Sequence, residues 1–317
     1  TSNNNLDEVT TNSQHALTSS DTGPWAAGFR NSFHIQNGNQ TGGAGADDRV
    51  SIYYKPEAQD LANSGWDYTS ASSYITLSFW VKSSVAQNFY FYFRTDDGTD
   101  YNYVMETGSL SADTWTKITK TIPGNSNLVI NNDNGVGALL EFTIFRGTNK
   151  TGTRALNTWE VYDTSVRVPD MTSTWYTTND ATWEITGVQL EVSDHATEFE
   201  FRSYGDELRR CQRYFQRVQG GLFGIGASST TIRSNYIPIV NFRATPTITG
   251  NASVSFNNPG INSPTQSSFN CGIQFTPSSL DNIGMTLGFG NYSNATQGYT
   301  YIQWDADDEH IDFSAEL

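Results

Sequence analysis

Ile75-Thr-Leu-Ser-Phe-Trp-Val-Lys82 alternates along its length: Ile75, Leu77, Phe79 and Val81 point one way, Thr76, Ser78 and Lys82 the other. Seven residues on, Phe89-Tyr-Phe-Tyr-Phe-Arg94 repeats the pattern, with Phe89, Phe91 and Phe93 on one face and Tyr90, Tyr92 and Arg94 opposite. A period of two with one apolar face is the mark of a half-buried strand. The turn Asp96-Asp-Gly-Thr-Asp100 then leads into Tyr101-Asn-Tyr-Val-Met105, which predicts a hairpin. Further strands are expected at 115–122, 139–145 and 183–191. Short strands separated by turn residues predict a sandwich of jelly-roll type over 22–202.

The composition agrees with an all-β protein. Of 317 residues, 36% are hydrophobic, 13% aromatic and only 16% charged, so Ser, Thr, Asn, Gln and Gly fill most of the rest. That balance suits pleated, half-buried surfaces and Asx-rich turns. Eighteen Lys and Arg against 33 Asp and Glu leave a net charge of −15, the wrong sign for a nucleic-acid partner or an anionic lipid surface. No run approaches the roughly 18 apolar residues of a membrane span, so no membrane insertion is expected. Cys211 and Cys271 are read as two free, buried thiols.

On either side of the sandwich the pattern changes. Residues 1–21 are polar with little periodicity and read as an N-terminal arm or linker. A helix is expected over 203–219, with Ser203 as N-cap. Tyr204, Leu208, Cys211, Phe215 and Val218 fall at 4-3-4-3 spacing, an a/d seam about two heptads long. So short a helix is marginal alone, and packing against identical copies would satisfy it. Residues 220–317 read as a C-terminal β-domain, with strands expected at 222–225, 230–237, 247–256, 269–275, 285–289, 299–304 and 310–313.

The stretch running from Ile185-Thr-Gly-Val-Gln-Leu-Glu191 through Ala196-Thr-Glu-Phe-Glu-Phe-Arg-Ser-Tyr-Gly205 to Cys211-Gln-Arg-Tyr-Phe215 is the most specific signal in the chain. It resembles a segment of tail-fibre and related appendage proteins of tailed bacteriophages, roughly "ITGVQLE-G--ATPFE-RSYG-EL--CQRYY". Glu198 stands where that pattern has Pro, and Phe215 where it has Tyr. Phe29-Arg-Asn-Ser32, followed by Ala58-Gln-Asp-Leu61, looks like the start of the same carbohydrate-binding-module-like sandwich. Ile311-Asp-Phe-Ser-Ala-Glu-Leu317 looks like a fibre C-terminus. The resemblance implies a structural or adhesive virion protein, assembled in the host cytoplasm and exposed on the particle. It implies a homotrimer, with an upstream virion protein or fibre segment and host surface polysaccharide as further partners.

Sugars stack their C–H faces on aromatic rings, so Tyr90, Tyr92, Arg94, Tyr101, Tyr103, Trp159, Trp175 and Tyr176 are the expected glycan contacts. The same rings would serve as well to pack against another layer or protomer. No catalytic role, metal or cofactor is expected. Asp96, Asp97 and Asp100, or Asp133 with its asparagine neighbours, could offer calcium ligands, but neither group has EF-hand spacing and Asx turns account for both. The four histidines are scattered without ligand spacing. A glycosidase needs two carboxylates about 5–10 Å apart, and Glu141 with Glu160 is one pair the sequence leaves open. Two alternatives therefore stand beside the adhesin: a capsid-decorating or collar fibre with a structural role only, and a polysaccharide depolymerase.

Overall fold

The computed structural model describes residues 2–250, 256–258, 266, 270–275, 285–303 and 310–317. The chain forms two compact units, Thr1–Glu200 and Phe201–Leu317. The first contains β1 (Ser2–Asn4), β2 (Thr11–Ala16), α1 (Thr22–Ala26), β3 (Asn31–Gln36), β4 (Arg49–Tyr54), α2 (Ala58–Ala62), β5 (Tyr74–Ser83) and β6 (Asn88–Thr95). It continues with β7 (Tyr101–Ser109), β8 (Thr116–Pro123), β9 (Ala138–Arg146), β10 (Thr151–Gly152), β11 (Trp159–Val161), β12 (Val168–Pro169), α3 (Thr174–Thr177) and β13 (Thr182–Glu191).

Two mainly antiparallel sheets build this unit. One has the order β1-β4-β9-β6-β7-β11 and the other β2-β3-β13-β5-β8. Their inner faces meet in one apolar cluster that includes Leu77, Phe79, Phe91, Phe93, Phe142 and Trp183. The rings of Phe79, Phe91 and Phe142 lie 5.0–5.8 Å apart, two pairs edge-to-face and one stacked. The alternation read from 75–82 and 89–94 is therefore the seam of an all-β sandwich. Buried aromatics at that spacing add about 0.5–1.5 kcal/mol per pair beyond their area.

Residues 1–21 are not a free arm. β1 pairs with β4, and β2 pairs with β3 in the register Thr11↔Gln36 through Ala16↔Asn31. All six residues of β2 are exposed, so no apolar alternation marked it, and backbone pairing alone recruits the strand.

The segment 185–200 closes the sandwich. Between Thr186 and Gln189 the β13–β5 ladder slips by a bulge, and Gly187 sits there with φ +62°. A Cβ on Gly187 would lie 2.5 Å from the Phe29 ring, whose other neighbour is Phe199 at 4.8 Å. Two stretches singled out in the sequence, 29–32 and 185–200, thus meet at one corner. Glu191 accepts hydrogen bonds from the Thr197 amide (2.9 Å) and hydroxyl (2.7 Å), and Gln189 accepts from the Glu200 amide (2.8 Å).

The second unit contains α4 (Tyr204–Gln212), β14 (Phe215–Val218), β15 (Phe223–Ser228), β16 (Thr231–Tyr236), β17 (Thr247–Gly250), β18 (Phe256–Asn257), β19 (Cys271–Phe275), β20 (Met285–Phe289), β21 (Thr300–Gln303) and β22 (Ile311–Ser314). It has a three-stranded sheet, β14-β22-β17, and a six-stranded one, β18-β21-β15-β16-β20-β19. Parts of the expected strands, at 251–255, 269 and 304, lie outside the described residues. Ser203 caps α4 as expected, accepting the Asp206 amide at 3.2 Å.

The helix is shorter than its seam predicts. It ends at Gln212, and Phe215 to Val218 form a strand paired antiparallel with Ser314 to Ile311. Within that strand Gln216 is buried and satisfied on both ends of its amide. Its nitrogen donates to the Val240 carbonyl (2.7 Å), and its oxygen accepts from the Tyr236 hydroxyl (2.6 Å) and the Ile239 amide (3.0 Å). Continuing the helix would strand these groups, at about 1–3 kcal/mol each. Tyr204, Leu208 and Cys211 remain on the helix, while Phe215 and Val218 do not. None of the nine helical residues is buried, so Cys211 is an exposed free thiol rather than a buried one. Cys271 is partly covered, and burial pushes its thiol up to about 12.

Candidate glycan-binding site

The sequence placed its glycan contacts largely on the outer face of the β6–β7 hairpin, and the register separates them. Tyr92 lies opposite Val104 and Glu141, whereas Phe93 lies opposite Tyr103. Residues opposite each other share a face, so Tyr103, and Tyr101 two residues before it, point inward with the phenylalanines. Both contribute to the main core. Trp159 packs there too, 5.2 Å from the Tyr103 ring, and its indole N–H donates to the Pro123 carbonyl at 2.7 Å. Trp175 and Tyr176 are fully buried under β9, with Tyr176 stacked 4.2 Å from Phe145 and its hydroxyl donating to Asp48 at 2.8 Å.

Nor is the outer face at Tyr92 open. Residues Leu156, Val168 and Met171 from the 147–172 excursion form a second apolar cluster with Tyr92, Val104 and Leu139. The Tyr92 hydroxyl donates to Glu141 at 2.6 Å, and burial beside that carboxylate pushes its pKa well above the ordinary value. Glu141 is in turn ion-paired with Arg146, and both are buried. Arg94 is ion-paired with Asp96 and lies 4.7 Å over the Tyr162 ring. Of the eight expected contacts, Tyr92, Tyr103, Trp175 and Tyr176 are buried, and Tyr90, Arg94, Tyr101 and Trp159 keep only partial exposure. The four buried rings pack within the chain and present no open face.

The same geometry weighs on the catalytic alternative. Glu141 is committed to Tyr92 and Arg146, and Glu160 sits 3.0 Å from the Arg154 Nε. Both carboxylates are thus engaged by arginines of the same chain, and Glu141 is buried as well. Asp97 spends its carboxylate on the Asn131 amide groups (2.8 and 2.7 Å), and Asp133 closes an Asx turn on the Gly135 amide. Among the described residues, no three His, Cys, Asp or Glu side chains gather as a metal site.

An open cleft does exist on the other sheet, at the β2–β3 edge. It is shallow and open, ≈ 510 Å³ in volume, and is lined by Asn12, Ser13, Gln14, Asn31, Ser32 and Phe33. Asn12, Gln14, Asn31 and Phe33 share one face of the β2–β3 pair, so three side-chain amides and one aromatic ring stand together there, while Ser13 and Ser32 turn to the other face. Phe33 is 39% exposed at this edge, although most apolar strand residues of this unit are buried. Side-chain amides can each donate and accept, as sugar hydroxyls do, and an exposed ring offers a stacking face.

On the opposite, outer face of β3, β13 and β5 runs a charged network. Ser32 donates to Glu184 at 2.6 Å, His15 Nδ1 lies 2.8 Å from the same oxygen, and the Lys82 ammonium is 2.9 Å from the other. Burial opposes ionisation of Glu184, but the bonds from Ser32, His15 and Lys82 hold its carboxyl below the usual range. Lys82 also reaches Asp21 at 3.5 Å, where the Trp115 indole N–H donates at 2.8 Å. For Asp21 burial again opposes ionisation, and the Thr18 amide, Trp115, Lys82 and the Thr18 hydroxyl outweigh it, lowering the carboxyl to about 2. The His15 and His34 rings meet edge-on at 5.6 Å, and burial lowers the pKa of His34. Two histidines nineteen positions apart become neighbours through the β2–β3 register, a contact that linear spacing conceals.

No family model matches the chain, and no curated protein does. A solved crystal structure from Bacteroides thetaiotaomicron VPI-5482, of a "putative sugar binding protein", is similar over 60% of this chain and 86% of that one. Identity is 11% and the TM-score 0.31, too low to carry an argument about this chain.

Proposed function

We propose that this chain is an adhesive virion protein, part of a homotrimeric phage fibre whose β-sandwich attaches to host-surface glycan. The observation that carries the reading is the β2–β3 cleft, where side-chain amides flank an exposed phenylalanine ring. Such sites bind sugar weakly, and three copies on one particle raise the avidity. The resemblance of 185–215 to phage appendage proteins supports the virion setting. The exposed Tyr204 and Leu208 on a helix with no buried residue support self-association through α4.

Two measurements on the purified chain test this. A glycan array should give binders, and light scattering on a sizing column should give about three times 35.1 kDa. An empty array with a trimeric mass would favour the purely structural fibre. Shortening of a host polysaccharide on incubation would favour the depolymerase. A clean monomer would remove the three-fold assembly.

A further inference from the structure

The cleft and the charges around it also bear on which glycans it takes. We propose that the β2–β3 cleft is selective for uncharged glycans and discriminates against uronate-, sialate- or sulfate-bearing ones. This rests on the adhesive reading above.

The first ground is the lining itself. Asn12, Ser13, Gln14, Asn31, Ser32 and Phe33 carry no formal charge, and no lysine or arginine is among them. Sites that recognise carboxylate or sulfate are built on arginine or lysine, because charge-assisted bonds offset the desolvation of the anion.

The second ground is what lies behind the lining. The Ser32 hydroxyl turns away from the cleft to the opposite face of the sheet, where it donates to Glu184 at 2.6 Å. Glu184 and Asp21 are two carboxylates sharing one ammonium, that of Lys82, at 2.9 and 3.5 Å. The three together carry one net negative charge on the face of the sheet opposite the cleft, with the His15 ring 2.8 Å from Glu184 beside them. Burial disfavours protonation of His34, which faces Ser13 at 3.3 Å, so this ring does not restore the balance near neutral pH.

Nearby cations are already engaged. Arg30, beside Asn31, lies 3.9 Å over the Trp25 ring and donates to the carbonyls of Trp25 (3.1 Å) and Phe29 (2.8 Å). The whole chain carries −15, so an anionic sugar also approaches against the long-range field.

The test is a set of length-matched oligosaccharides: neutral hexose and N-acetylhexosamine oligomers, and the same backbones bearing uronate or sialate. Each is titrated into the full-length chain and into Phe33→Ala at low and high salt. Neutral oligomers should bind at least tenfold more tightly than their acidic counterparts at low salt. The gap should narrow as salt screens the repulsion, and Phe33→Ala should lose the neutral binding. Acidic oligomers binding as tightly as neutral ones, or weakening as salt rises, would overturn the selectivity while leaving the adhesive reading intact. Binding by neither class would overturn the adhesive reading itself. Neutral binding that survives Phe33→Ala would place recognition on another surface.

Discussion

Gly187 shows how one residue closes the sandwich. Its backbone has φ +62°, where side chains are rarely tolerated, and the Phe29 ring occupies the space a Cβ would need. Gly187→Ala is therefore expected to cost roughly 2–4 kcal/mol, adding backbone strain to overpacking. A lower denaturant midpoint with an unchanged slope would report it, and an unchanged midpoint would contradict the corner described here. Asp21 gives a second test. Its carboxyl lies at about 2 in the folded protein against an ordinary 3.8, so folding favours the ionised form. The resulting stabilisation, about 2 kcal/mol, is fully present above roughly pH 5 and is lost as the pH falls towards 2. Asp21→Asn should flatten the acid limb of the stability curve, whereas an unaltered limb would mean the Trp115 and Lys82 contacts are not formed in solution.

Secondary structure was legible where a strand has one apolar face and illegible where it has none. Residues 75–82 and 89–94 gave away the core because Phe79, Phe91 and Phe93 alternate with polar neighbours. β2 carries no such alternation, and that polarity hid both the strand and the cleft beside it. The aromatics chosen as glycan contacts misled for a related reason. An alternating strand reveals two faces but not what covers them, and the 147–172 excursion covers Tyr92. The α4 seam failed at Phe215 because 215–218 pairs with β22, a partner nearly a hundred residues on that heptad spacing does not reveal. What remains of that seam is testable. Leu208 is 40% exposed and Tyr204 82% exposed on a helix with no buried residue. In a trimer joined through α4, Leu208→Asp would bring three carboxylates into a dry contact, and the purified protein should fall to monomer or come out insoluble. A soluble trimer carrying that substitution would show that α4 does not organise the assembly.

Taken whole, the molecule pairs an all-β sandwich that carries an open polar cleft with a second β unit headed by an exposed helix. The β6 face and the β2–β3 edge of the sandwich make opposite predictions about recognition. The outer face of β6 is sealed by Leu156, Val168 and Met171, while the β2–β3 edge is open. The most direct measurement compares glycan binding by the unaltered chain, by Gln14→Ala/Phe33→Ala at the cleft, and by Tyr90→Ala on the β6 face, each first shown to be folded by its near-ultraviolet dichroism. Loss of binding in the cleft variant, with Tyr90→Ala close to the unaltered protein, is the predicted result. Full binding by the cleft variant together with loss in Tyr90→Ala would contradict the account and return recognition to the tyrosine face.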